Sequence, residues 1–91
     1  MLSVDIARKE GDAADYVYAA IEEDGRVQMV RNSFGPGDFE TEVTAAVDRE
    51  DKDRLLLALL MEVFGGDTGA VEAFRDFAQA KGIQVAWFRW P

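Results

Sequence analysis

The sequence contains no cysteine and no histidine, and only two prolines in 91 residues. Without cysteine there is no disulfide framework, no thiolate metal site and no thiol nucleophile. Without histidine, the residue that most often serves as general base or metal ligand is missing. Basic residues are scarce too: 10 Lys and Arg against 18 Asp and Glu give a formal net charge of −8 and a pI of about 4.3. Duplex binding relies on Lys and Arg to displace phosphate counterions, so direct nucleic-acid binding is not expected. The longest apolar run, Leu55 to Met61, is far short of the roughly 20 residues that cross a bilayer. The opening stretch Met1 to Lys9 has no apolar centre and carries Asp5 where a signal peptide is greasy. These absences point to a cytoplasmic protein with no membrane partner, no metal and no cofactor.

What is present suits one small folded domain over residues 1–91. Hydrophobic residues make up 48% of the chain and aromatic ones 11%, too much for a disordered segment. Leu2, Val4 and Ile6 alternate with Ser3, Asp5 and Ala7, the period of a strand, which Lys9-Glu10-Gly11-Asp12 ends. Residues 15–23 and 26–31 are both strand-like and flank Asp24-Gly25. That dipeptide predicts a hairpin with a type I′ turn, whose two central positions need positive φ. Such a turn pairs Glu23 with Arg26, an opposite-charge cross-strand pair. A rival reading makes Asp12 the cap of a helix, with Asp15 at N3, that stops before Gly25. Residues 32–38 read as a loop. Residues 39–47 read as a strand with Glu40 and Glu42 on its solvated face.

Asp48 then suits an N-cap, with Asp51 at N3, for a helix that runs to about Phe64 and is stopped by Gly65-Gly66. Asp67 or Thr68 caps a second helix, which Gly82 closes with Ile83 behind it. Residues 83–90 are apolar on both faces and read as an interior strand. The order β-β-β-β-α-α-β predicts an α+β fold: a largely antiparallel sheet of four to five strands with two α-helices packed on one face.

The first helix is apolar nearly all round, with Glu62 the one polar residue between Leu55 and Phe64. A surface helix shows an apolar stripe instead. Either the helix is central, or one side of it (Leu57, Met61 and Phe64) forms an interface with a second copy, giving a homodimer, or with another protein.

Motifs that carry chemistry are few. Asp67-Thr68-Gly69-Ala70 resembles the active-site sequence of retroviral-type aspartic proteases. The resemblance implies a homodimer in which one aspartate from each chain shares a proton. In that family the motif follows an apolar strand near the N-terminus and a flap hairpin comes later. Here it follows a helical pattern close to the end of the chain, so Asp67 is read as a helix cap. Asp48, Glu50, Asp51 and Asp53 lack the spacing and the glycine of a calcium loop, and they complement a helix dipole. Ser3 and Ser33 sit in no nucleophile elbow, and Gly35-Pro36-Gly37 is a turn and not a phosphate loop. No enzyme is expected.

The charge is clustered. Residues 10–24 hold six acids and no base, and residues 38–53 hold seven acids against Arg49 and Lys52. One reading is a solvated surface that keeps a small protein in solution. The other is an acidic face that docks on a basic surface of a partner protein, one meant for nucleic acid. Its candidate residues are Asp15, Glu22, Glu23, Asp24, Glu40 and Glu42, with Trp90 as an aromatic anchor. Anti-CRISPR, anti-restriction and immunity proteins share this profile of size and charge, which is analogy and not motif. The leading expectation is therefore a non-enzymatic inhibitor that occludes a basic site. A structural or oligomerisation domain built on the helix 55–64 is the first alternative, and a small-ligand binder or carboxylate enzyme the second.

Overall fold

Four eight-residue strands occupy the first part of the chain: β1 (Leu2–Lys9), β2 (Ala14–Ile21), β3 (Val27–Phe34) and β4 (Glu40–Val47). They pair antiparallel in the order β1-β2-β3-β4. Short connections return each strand beside its predecessor. A 3₁₀ turn (Arg49–Asp51) leads into α1 (Lys52–Phe64), and α2 (Ala70–Ala80) follows. The fold is α+β. The structure, a computed structural model, describes residues 1–35 and 40–90. The last three residues of the expected 32–38 loop, the strand start at Phe39, and Pro91 lie outside the described residues. The chain divides into two compact units, Met1–Leu55 and Leu56–Pro91.

In the first unit, residues 14–21 are strand, so the helical alternative for 12–24 is discarded. The hairpin is present, but its register differs from the expected one. Ile21 faces Val27 and Ala20 faces Gln28, which sets Glu22, not Glu23, opposite Arg26. Glu22 N–H donates to Arg26 O at 2.8 Å and Gly25 N–H to Glu22 O at 2.9 Å. Gly25 has φ +90°, and no residue other than glycine has positive φ among the described residues. A type I′ turn is thereby excluded; the loop has three residues, with glycine in the left-handed position. The Asp24 carboxylate holds this form by accepting Arg26 N–H at 3.0 Å. β3 also continues through Asn32, Ser33 and Phe34, which the sequence places in a loop. The Ser33 hydroxyl donates to Asp15 Oδ1 at 2.6 Å, and the Phe34 ring meets Tyr16 edge-on at 5.8 Å. These polar and aromatic cross-strand partners extend a strand that composition alone would end.

Register assigns the side chains to two faces. One carries Tyr16, Tyr18, Ala20, Val30, Asn32, Phe34, Glu40, Glu42 and Thr44. Val30 and Ala20 on this face are only 2% and 3% exposed, the most enclosed positions of the sheet. The other face carries Leu2, Val4, Val17, Ala19, Ile21, Val27, Met29, Val43, Ala45 and Val47, with Asp15 and Arg31 among them. A register shift between Asp5 and Ala7 leaves Ile6 unpaired as a bulge. The extra residue swaps the alternation, so Arg8 shares a face with Tyr16 and stacks its guanidinium 5.1 Å from that ring.

In the second unit, Phe64 at the end of α1 packs edge-on against Phe74 and Phe77 of α2, at 6.0 and 6.2 Å. The expected closure of α2 is present, but neither expected side-chain cap is made. The N-cap of α2 is Gly69, not Asp67 or Thr68, and no side chain caps it; Asp67 Oδ1 accepts Gly69 N–H at 2.8 Å in the turn just before the helix. At its other end Ile83 N–H reaches Ala78 O and Gly82 N–H reaches Gln79 O, both at 3.0 Å, with Gly82 at φ +75°. That pair of bonds is a Schellman motif. Asp48 takes the extended N-cap backbone before the 3₁₀ turn, but its side chain makes no capping hydrogen bond; Asp51 N–H bonds to the Asp48 carbonyl instead.

The expected fifth strand is absent: residues 83–90 have no regular secondary structure. Phe88 is 86% and Trp90 96% exposed, the reverse of an interior strand. Apolar residues on both faces report side-chain chemistry and say nothing of a ladder partner. What holds this segment is a side chain, the Arg75 guanidinium lying 4.3 Å from the Trp87 ring.

Candidate functional site

The β2–β3 turn brings acids to one end of the sheet. Glu23 and Asp24 sit in its three-residue loop with Glu22 just before it. The 27↔47 pairing of β3 with β4 places Asp48 and the following 3₁₀ turn at the same end. Gly25 closes the approach: a Cβ built there would lie 3.0 Å from Arg49 Cβ. Asp24, Arg26, Asp48, Arg49 and Glu50 line an open concavity of about 360 Å³. A neighbouring one of about 340 Å³ is lined by Met1, Glu22, Glu23, Asp24 and Arg26. Asp24 and Arg26 are common to both. The Gln28 amide, oriented to satisfy its neighbours, donates to Glu22 Oε1 at 3.1 Å and accepts from Arg26 at 3.3 Å.

Five carboxylates thus meet two guanidinium groups, and no ion pair joins them among the described residues. The result is an open anionic rim. A basic surface can approach it without breaking an internal pair.

The other acids singled out from the sequence lie elsewhere. Asp15, Glu40 and Glu42 are at the opposite end of the strands, about seven residues and so roughly 24 Å away. They do not share a face: Asp15 is beside Ser33 on one, while Glu40 and Glu42 stand opposite Phe34 and Asn32 on the other. Trp90 belongs to the second unit and is almost fully exposed. The sheet therefore divides the acids expected on one face, and Asp48 and Glu50, expected to cap a helix, join Glu22, Glu23 and Asp24 instead.

On α1, Leu57 and Met61 are 67% and 72% exposed. Phe64, the third residue of that candidate interface, is half-buried against α2 instead. The apolar sheet face is a further surface. Its signal is visible in Val17, Ala19, Ile21, Val27 and Met29, apolar at every second position of strands that also carry apolar groups between them.

Among the described residues no charged side chain is buried, and no three Asp or Glu converge to hold a metal ion. Among the described residues no helix is long and apolar enough to cross a membrane. No protein-family model, curated protein or solved structure matches the chain.

Proposed function

We propose that the chain is a non-enzymatic protein-binding module whose acidic rim docks on a basic, nucleic-acid-handling surface of a partner protein and occludes it. The observation that carries this reading is the convergence of Glu22, Glu23 and Asp24 with Asp48 and Glu50, from segments far apart in sequence, around adjoining concavities. Exposed charges of one sign steer encounter with the opposite sign and set which partners are rejected. The test is capture from native host lysate by the wild-type chain and by Glu23→Lys/Asp48→Lys/Glu50→Lys in parallel. Asp24 is left in place because its carboxylate closes the turn. Capture of the same protein is expected to fall about tenfold on charge reversal or at high salt, and to be competed by added DNA or RNA. Equal capture by both chains at both salts removes the reading.

A second reading, an oligomerisation or scaffolding role for α1, has its own observation. Leu56, Leu57, Leu59, Met61 and Val63 are all more than half exposed. Burying such side chains gains about 1.5–3 kcal/mol each. On this reading Leu57→Glu dissociates an assembly seen by light scattering and leaves helix content unchanged; an unaltered mass counts against it.

A further inference from the structure

We propose that the apolar face of the sheet is a self-association surface, on which two copies stack face to face across a two-fold axis running along the strands between β2 and β3. The face is open. Leu2, Val4, Met29 and Val43 are between 46% and 72% exposed, in an apolar patch rimmed by Lys9, Asp15, Ser33 and Thr41 and interrupted only by Arg31. Its extent suits a pair of chains. Four eight-residue strands span about 27 by 19 Å, so stacking two such faces covers roughly 1,000 Å² in all, the lower bound for a specific interface.

Charge selects a second copy as the occupant. The chain carries a net −8, yet Asp5, Glu40 and Glu42 project from the opposite face and the acidic rim lies at the strand ends. On the apolar face Lys9 and Arg31 stand against Asp15 alone. Two strongly acidic molecules can meet here without setting acid on acid.

Arg31 makes the choice sharper. It occupies the middle of β3, between Val17 and Val43, and has no ion-pair partner among the described residues. Any apolar surface laid over this face encloses a guanidinium, which is costly without a carboxylate. The proposed axis lays each β3 over the β2 of the other copy. Arg31 then lies over Val17 of the second copy, one side-chain row from its Asp15, and symmetry makes the same pair twice. Asp15 is already oriented by the Ser33 hydroxyl at 2.6 Å. Edge-to-edge pairing is the less favourable way to join two copies: β1 is bulged at Ile6 and β4 presents Glu40 and Glu42, the devices that blunt sheet edges.

Sedimentation velocity of the full chain over a micromolar concentration series tests this. A dimer is expected. Asp15→Arg and Arg31→Glu should each weaken it about tenfold, and the double exchange should restore most of the loss. Met29→Lys should give a monomer with an unchanged circular dichroism spectrum. Recovery in the double exchange keeps the test decisive if Met29→Lys fails to fold. A monomer at the highest concentrations overturns the proposal. So does a dimer that survives the single charge changes but dissociates with Leu57→Glu. Because none of these variants alters the acidic rim, its reading stands or falls separately.

Discussion

A Val30→Asp chain is expected to lose its sheet, whereas a Met29→Asp chain keeps it. The two residues are neighbours on β3 and point to opposite faces. Val30 is 2% exposed and stands in a row with Tyr18 and Thr44; Met29 is 46% exposed. A carboxylate at Val30 has no cation in its row, so it must be buried unpaired or push the strand away from its neighbours. Either outcome costs roughly 4 kcal/mol or more. Small domains have total stabilities of about 5–15 kcal/mol, and one of this length sits toward the low end. Urea unfolding followed by circular dichroism should show a cooperative transition for wild type and Met29→Asp, and none for Val30→Asp. Val30→Ala, which removes two carbons, should cost only about 2 kcal/mol. A cooperative, near-wild-type midpoint for Val30→Asp would show that this face is wetter than described.

The second large effect is expected at Gly25. Its φ of +90° belongs to the left-handed region, and a Cβ there would lie 3.0 Å from Arg49 Cβ. Valine is the worst substitute, since a β-branched residue is strained in that backbone and cannot move its Cβ. Gly25→Val should lower stability by about 3 kcal/mol, while Gly25→Asn, which tolerates the conformation, should lose about 1 kcal/mol. The midpoint difference in urea between the two variants reads the backbone strain, because both carry a Cβ toward Arg49. The same substitution bears on the acidic rim, whose two segments touch at this glycine. Equal losses for valine and asparagine would place the whole cost in the Arg49 contact.

These two positions show where reading the sequence succeeds and where it stops. Asp24-Gly25 between two β-branched and aromatic runs marks a hairpin, and a hairpin is there. Whether that dipeptide closes a two-residue or a three-residue loop depends on one dihedral at Asp24, which the dipeptide leaves open. The difference is one residue of register, and one residue decides whether Val30 shares a face with Ala19 or with Tyr18. Ile6 acts in the same way on the other side of the sheet: alternation predicts β1, but only the bulge assigns Arg8 to the face of Tyr16. The Gly82-Ile83 closure of α2 was fully legible, because a Schellman motif is made by residues adjacent in the chain. The segment 83–90 was not. Its apolar residues on both faces fit a buried strand as well as an aromatic segment held by Arg75 against Trp87.

The acids follow the same division. Their number and their clustering in two stretches are properties of composition. So are the absence of cysteine and histidine, the succession of four strands and two helices, and the stops at Gly65-Gly66 and Gly82. All of these rest on single residues or on neighbours within one turn or one strand, where spacing and backbone preference suffice. The tertiary structure decided which acids meet. It joined residues 22–24 to 48–50 and sent Asp15, Glu40 and Glu42 to the far end of the strands. Within the first unit it also left one apolar face of the sheet uncovered. The reason is physical: strand pairing juxtaposes distant segments according to register, and register is set by a loop of three residues and a bulge of one. Charge patterning along the chain carries no record of either.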